Sequence, residues 1–157
     1  MMWPNRSVRP RSSPLSPAIM TTIEDEDSDE AFVVRSTRHG RRLVFYDRDD
    51  DYFMAAIRGP ELSVATRVWG YSDTSLLIDL FASLAADWRG WAESRSWQSI
   101  EGEFTVAASF AVCGIVTLDV AIRQADGVDD LRFQAPIFTE SGQLDSIAAG
   151  AKRFFAS

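Results

Sequence analysis

Three residue types that build most enzyme and metal sites are nearly missing from this chain. Its 157 residues include one cysteine, one histidine and one lysine. A lone thiol, Cys113, excludes an internal disulfide and any cysteine cage around zinc. It favours a reducing compartment, so the chain reads as cytoplasmic. The lone histidine, His39, lies in Thr37-Arg38-His39-Gly40-Arg41, which reads as a turn between strands. No nucleophile or carboxylate stands in a motif relation to it. Long apolar runs are also missing. None approaches the roughly 20 residues that a membrane-spanning helix needs. Residues 1–17 carry Arg6, Arg9 and Arg11 without an apolar core, so they do not read as a secretory signal. No nucleotide-binding or metal-binding motif occurs. The expectation is a non-enzymatic protein with no cofactor, no metal and no membrane contact.

Positive charge is scarce beyond the first residues. The whole chain carries a net −7. Beyond residue 19 there are 13 basic and 23 acidic residues, a net of −10. An acidic body repels a phosphate backbone, so nucleic acid is not an expected partner of the folded part. A basic protein partner fits better.

What is present divides into two kinds of chain. Residues 1–30 do not read as folded. Met1 to Pro17 is rich in Pro, Ser and Arg, with little apolar area to offset ordering entropy. Glu24 to Glu30 has six acids in seven positions, a solvated run. The abrupt break near Met20 suggests that residues 1–19 are an over-called start.

Residues 31–157 read as one α+β domain. Phe32/Val34, Leu43–Tyr46, Phe53/Ala55/Ile57 and Leu62/Val64/Val68 alternate as four strands with short turns. Leu76, Leu77, Leu80, Phe81, Leu84 and Trp88 share a helix face after a cap at Ser72 or Asp73, and Gly90 stops that helix. Phe104–Phe110, Val116–Ile122 and Leu131–Ile137 alternate again, with a turn at Gly114 and a loop at Asp126-Gly127. A last helix spans about Glu140 to Phe155, with Thr139 or Ser141 as cap. The order is ββββαβββα: about seven strands in a mainly antiparallel sheet, with two helices packed on one face. The two halves suggest a distant duplication, but their residues do not match well enough to claim one.

Three polar groupings invite a chemical reading. Asp47-Arg48-Asp49-Asp50-Asp51 offers oxygens to calcium, yet lacks the glycine hinge and terminal glutamate of a helix–loop–helix site. It reads as a hairpin tip. Glu101 and Glu103 share a face of an extended segment and could do acid–base work with His39 only if a cleft faced them. The outward face of a sheet is their expected place. Cys113, between Val112 and Gly114, reads as a buried or half-buried thiol.

The densest feature is aromatic. Trp88-Arg89-Gly90-Trp91 and Trp97 place three of five tryptophans within ten positions. Trp88 is expected in the core, and Trp97 is expected to close it. Trp91 is open between core and surface. Large aromatics beside arginine make binding hot spots, so Trp69, Tyr71, Arg89, Trp91, Arg95 and Trp97 form the candidate interaction surface.

The block Leu84 to Trp91, then Trp97-Gln98-Ser99-Ile100-Glu101-Gly102-Glu103 and Ser141-Gly142-Gln143-Leu144, resembles a bacterial family, domain of unknown function 6228. The resemblance covers roughly residues 30–157 and implies the fold, not an activity. In the family a His-Asp-Gly type turn and a second histidine follow the next strand. Here that stretch, Ser109 to Ile115, has neither. Small size and acidity are also similar to those of immunity proteins that neutralise toxins. The expected function is a protein-binding module, immunity-like in type. The alternative is a small-molecule pocket between sheet and first helix, lined by Phe53, Trp69, Phe81 and Trp88. The edge strand Phe32–Ser36 could support a homodimer.

Overall fold

The computed structural model describes residues 30–71, 73–125 and 130–156. The expectations for the segment before Glu30, for a cap at Ser72 and for the Asp126-Gly127 loop lie outside those residues. The described chain forms eight strands and two helices. The strands are β1 (Phe32–Arg35), β2 (Arg42–Tyr46), β3 (Tyr52–Arg58), β4 (Ser63–Trp69), β5 (Arg95–Gln98), β6 (Phe104–Phe110), β7 (Ile115–Ala125) and β8 (Asp130–Glu140). Helix α1 (Thr74–Ala86) follows β4. A 3₁₀ turn (Ser141–Gln143) and helix α2 (Leu144–Ala156) follow β8.

The expected seven-stranded sheet is two antiparallel sheets, ordered β1-β2-β3-β4 and β5-β6-β7-β8. The extra strand is β5, which the sequence pattern does not show. Only Trp97 of its four residues pairs an apolar side chain with a core neighbour, Val106. A strand this short carries too little alternation to register. With β5 counted, the order ββββα occurs twice.

Alternation works because strand side chains point to opposite faces. Phe32, Val34, Leu43, Phe45, Phe53, Ala55 and Ile57 turn inward from the first sheet. Phe104, Val106, Leu118, Val120 and Ile137 do so from the second. Both sets meet both helices in one core. Phe45 is its hub, with ring centroids 5.4 Å from Phe32, 5.5 Å from Phe104 and 5.4 Å from Phe155.

Helix α1 buries Leu77, Leu80, Phe81 and Leu84, the i, i+3, i+4, i+7 stripe. Two expected members fall off it. Leu76 is 55% exposed, because its neighbour Leu77 takes the inward position. Trp88 is 50% exposed and not core. The helix stops at Ala86, two residues early, so Trp88 lies in the following turn with the Arg89 guanidinium 5.0 Å over its ring. Helix α2 starts later than expected. Strand β8 continues to Glu140 and takes Thr139 into the sheet. Cys113, expected at least half-buried, is exposed in the β6–β7 turn. That turn is bound by the Gly114 N–H donating to Ala111 O at 3.0 Å. None of the helices among the described residues is long and apolar enough to cross a membrane.

Candidate functional site: a groove along the open edge of β1

The six residues of the expected interaction surface separate into two groups and a core residue. Trp97 is 6% exposed and closes the core, as its spacing suggested. Its indole N–H is buried without an acceptor. Trp91 is half-buried, donates from Nε1 to Ala108 O at 3.2 Å and packs on Phe110. Arg95 straps β5 to the end of α1, donating to Ser83 O at 3.0 Å and to Asp87 Oδ2 at 2.6 Å. A cation at exposed helix carbonyls is favourable there. Arg89 is exposed beside Trp88. Trp69 and Tyr71, stacked at 6.3 Å, lie at the opposite end of α1. Thirteen helical residues, about 20 Å, separate the two groups. The structure brings no single aromatic patch together from them.

The alternative pocket does not assemble either. Phe53 and Phe81 are each 1% exposed inside the packed core, whereas Trp88 faces solvent. The acid–base trio is dispersed as well. The His39 ring lies 6.2 Å from Phe138. Glu103 precedes Phe104, whose row continues through Ile122 to Phe133. Five residues of β8 between Phe133 and Phe138 span about 17 Å. One oxygen of Glu103 is buried without a partner, and burial pushes its carboxyl above the usual carboxylate range. Glu101 beside it acts in the same direction, and Ser99 opposes. In the acidic hairpin tip, Asp49 accepts from the Asp51 and Tyr52 N–H groups at 2.9 and 2.8 Å. These bonds, with Arg67 nearby, hold its carboxyl below the usual range. That side chain is committed to capping the turn.

A different feature emerges from the backbone. In an antiparallel pair, residues alternate between bonding the neighbour and facing away. The Ser36 N–H donates to Arg41 O at 2.9 Å, so Phe32, Val34 and Ser36 bond β2. Ala31, Val33, Arg35 and Thr37 turn their N–H and C=O groups to the outer edge. Thr37 confirms the direction, because its N–H donates to Phe138 O of β8 at 2.8 Å. Two other edges carry covers. Phe138 of β8 is held by Thr37 and by Ser36 Oγ. Ala65 O on the outer edge of β4 accepts from Gln124 Nε2 at 2.6 Å. Along β1 the edge instead opens into a recess of about 1130 Å³.

That recess follows the chain from Glu30 to Thr37. One wall is α2 and the end of β8, presenting Ile147, Gly150, Arg153 and Phe154. Gly150 sets its width. A Cβ there would come within 2.9 Å of the Phe32 ring, so only glycine lets α2 lie this close to β1. The other wall is the β2–β3 turn, Asp47 to Asp50. Charge in the lining favours acids, with Glu30, Asp47, Asp49, Asp50 and Glu140 against Arg35, Arg48 and Arg153. The Trp69 group abuts this wall. Arg67 lies 4.1 Å over the Tyr52 ring and 3.5 Å from Asp49. The edge strand and the acidic turn are legible in the sequence, and the part played by α2 is not. Gly150 inside a helix and the adjacent Phe154-Phe155 were its signals.

The sequence model described as "Family of unknown function (DUF6228)" matches residues 26–157, and the chain belongs to that family. No curated protein matches the sequence. Among solved structures, the chain is similar to one titled "Crystal structures of trypanosoma bruciei MRP1/MRP2". The two are 14% identical, with 99% of this chain and 98% of that chain covered and a TM-score of 0.48.

Proposed function

We propose that this protein is a non-enzymatic binding module that captures an extended, basic segment of a protein partner by adding it as a strand to β1. The observation that supports this reading is the open backbone of Val33 and Arg35 along a strand-length groove. Strand addition uses main-chain bonds for affinity and alternate side chains for specificity. Here alternate side chains of the guest would meet Ile147 and Phe154 on one side and the acidic turn on the other. The excess of acid favours lysine and arginine in the guest. It also disfavours pairing with a second copy, which would bring two acidic rims together. A toxin-neutralising, immunity-like role is this reading with a basic toxin as the guest.

The test uses a display library of random dodecapeptides panned against the protein. Enriched peptides should be basic, should alternate apolar and polar positions, and should lose binding when Val33 becomes proline. Enrichment of acidic peptides, or binding indifferent to Val33→Pro, would refute the reading.

A further inference from the structure

The second sheet carries a recess on its outward face, of about 400 Å³. That volume lies within the range of small-molecule sites. None of its lining residues belongs to the groove along β1. Strand register builds it. Gln98, Thr105 and Ala121 stand side by side across β5, β6 and β7. Two residues along, Arg123 of β7 is directly opposite Arg132 of β8. Ile122 between them is buried, so Ala121 and Arg123 share the outward face. Ala121 supplies a low floor, 7% exposed because longer neighbours stand around it. The wall is the turn between β5 and β6, closed by the Gly102 N–H donating to Ser99 O at 2.9 Å. Gly102 has a φ of 77°, which favours glycine. A Cβ there would lie 3.3 Å from Gln98 Nε2 and 4.0 Å from Arg123 Nη1. Nitrogen donors of two strands thus converge on one bare stretch of backbone.

The donors that meet here are largely unspent. Like charges directly opposite on a sheet repel one another, yet only one of the two arginines is paired. Arg123 gives its Nε to Asp130 Oδ1 at 2.8 Å, which leaves Nη1 beside Gly102. Among the described residues, no carboxylate pairs with Arg132, and no hydrogen bond engages the side chain of Gln98 or Thr105. We propose that this recess binds a small organic anion, a carboxylate or a phosphate ester, held between Arg123 and Arg132 with Gln98 and Thr105 donating to it. Guanidinium groups match the oxygens of both kinds of anion in pairs. Glu101 is the one acid in the lining. Its carboxylate repels the anionic end and accepts from a hydroxyl beside that end. A bound anion also removes the repulsion between the two arginines. This inference stands apart from the groove, which uses the backbone edge of the other sheet.

The test is a titration of the full chain with malate and with glycerol phosphate at constant ionic strength, followed by proton–nitrogen NMR. The first probe joins a hydroxyl to carboxylates, the second joins hydroxyls to a phosphate. The site predicts saturable shifts at the Gln98 side-chain amide, the Gly102 amide and the Arg123 Nε–H with at least one probe. The tighter probe identifies the anionic group. Arg132→Gln should weaken that probe by about tenfold or more, the effect of losing a charged hydrogen bond. Arg132 is exposed, so resonances away from the recess should keep their positions in the variant. Val33→Pro, which tests the groove, should leave the titration unchanged. Shifts that rise without saturating, shifts spread over the other arginines, or binding indifferent to Arg132→Gln would overturn the proposal. So would an absence of shifts with both probes.

Discussion

Replacing Val33 by proline separates the edge from the fold. Proline has no N–H, and in sheets it is tolerated where the N–H faces away from the ladder. The alternation fixed by Ser36 and Thr37 turns the Val33 N–H outward. The β1–β2 ladder therefore loses nothing, and stability should fall by less than about 1 kcal/mol. Val34→Pro is the control, one residue on. Val34 is 1% exposed and its N–H bonds β2. Its loss removes a ladder bond of about 1 kcal/mol and leaves a buried carbonyl unmet at about 1–3 kcal/mol. At about 2–4 °C per kcal/mol for a chain of this size, Val34→Pro should lower Tm by roughly 4–16 °C, and Val33→Pro by under about 4 °C. Binding should show the reverse order of sensitivity. An added strand loses one bond at proline and leaves its own carbonyl unmet, about 2 kcal/mol together, which is roughly 30-fold in Kd. Thermal melts and a titration with a selected basic peptide measure both. If Val33→Pro melts like Val34→Pro, the edge has been assigned to the wrong alternation.

Other consequences follow from the same geometry. Trp88→Ser should change stability by no more than about 0.5 kcal/mol, whereas Trp97→Ala should cost about 3–5 kcal/mol in a denaturant titration. Equal costs would contradict the placement of Trp88 outside the core. Glu103→Gln tests a burial-raised carboxyl. Its folded-state pKa lies above the unfolded value, so the folded form binds the extra proton and stability falls as pH rises past the unfolded value. The glutamine variant should melt higher than wild type at pH 7, and the gain should vanish as pH drops below about 4.5. A gain independent of pH would show that charge is not the cause. Asp47→Asn with Asp50→Asn should slow peptide association and flatten its salt dependence while leaving the turn intact, since asparagine also accepts the positive φ at position 47. Unchanged association rates would remove the acidic wall from recognition.

Much of this architecture is legible in the sequence because alternation is strong where one face is buried. The strands through Phe45, Val106 and Leu118 carry that signal plainly. Two features escaped it for opposite reasons. Strand β5 has a single buried side chain, Trp97, so periodicity had nothing to repeat. Trp88 matched the helical period but lay past the helix end, where the period no longer governs direction. Tryptophans suggest a surface by composition, yet Trp97 serves packing and Trp91 braces β6. The groove is built from backbone direction and from the approach of α2 at Gly150, both set by tertiary contacts. Phe32–Ser36 could be named as an edge, but which of its amides face outward depends on pairing with Arg41 and Phe138, which no local pattern encodes.

Residue-resolved amide hydrogen exchange, with and without a selected basic peptide, tests strand addition most directly. The account predicts new protection at the Val33 and Arg35 amides, with Phe32 and Val34 already protected by β2 and unchanged. Protection appearing instead around Trp69 and Tyr71, or around Arg89 and Trp91, would contradict it and move the binding surface to one end of α1.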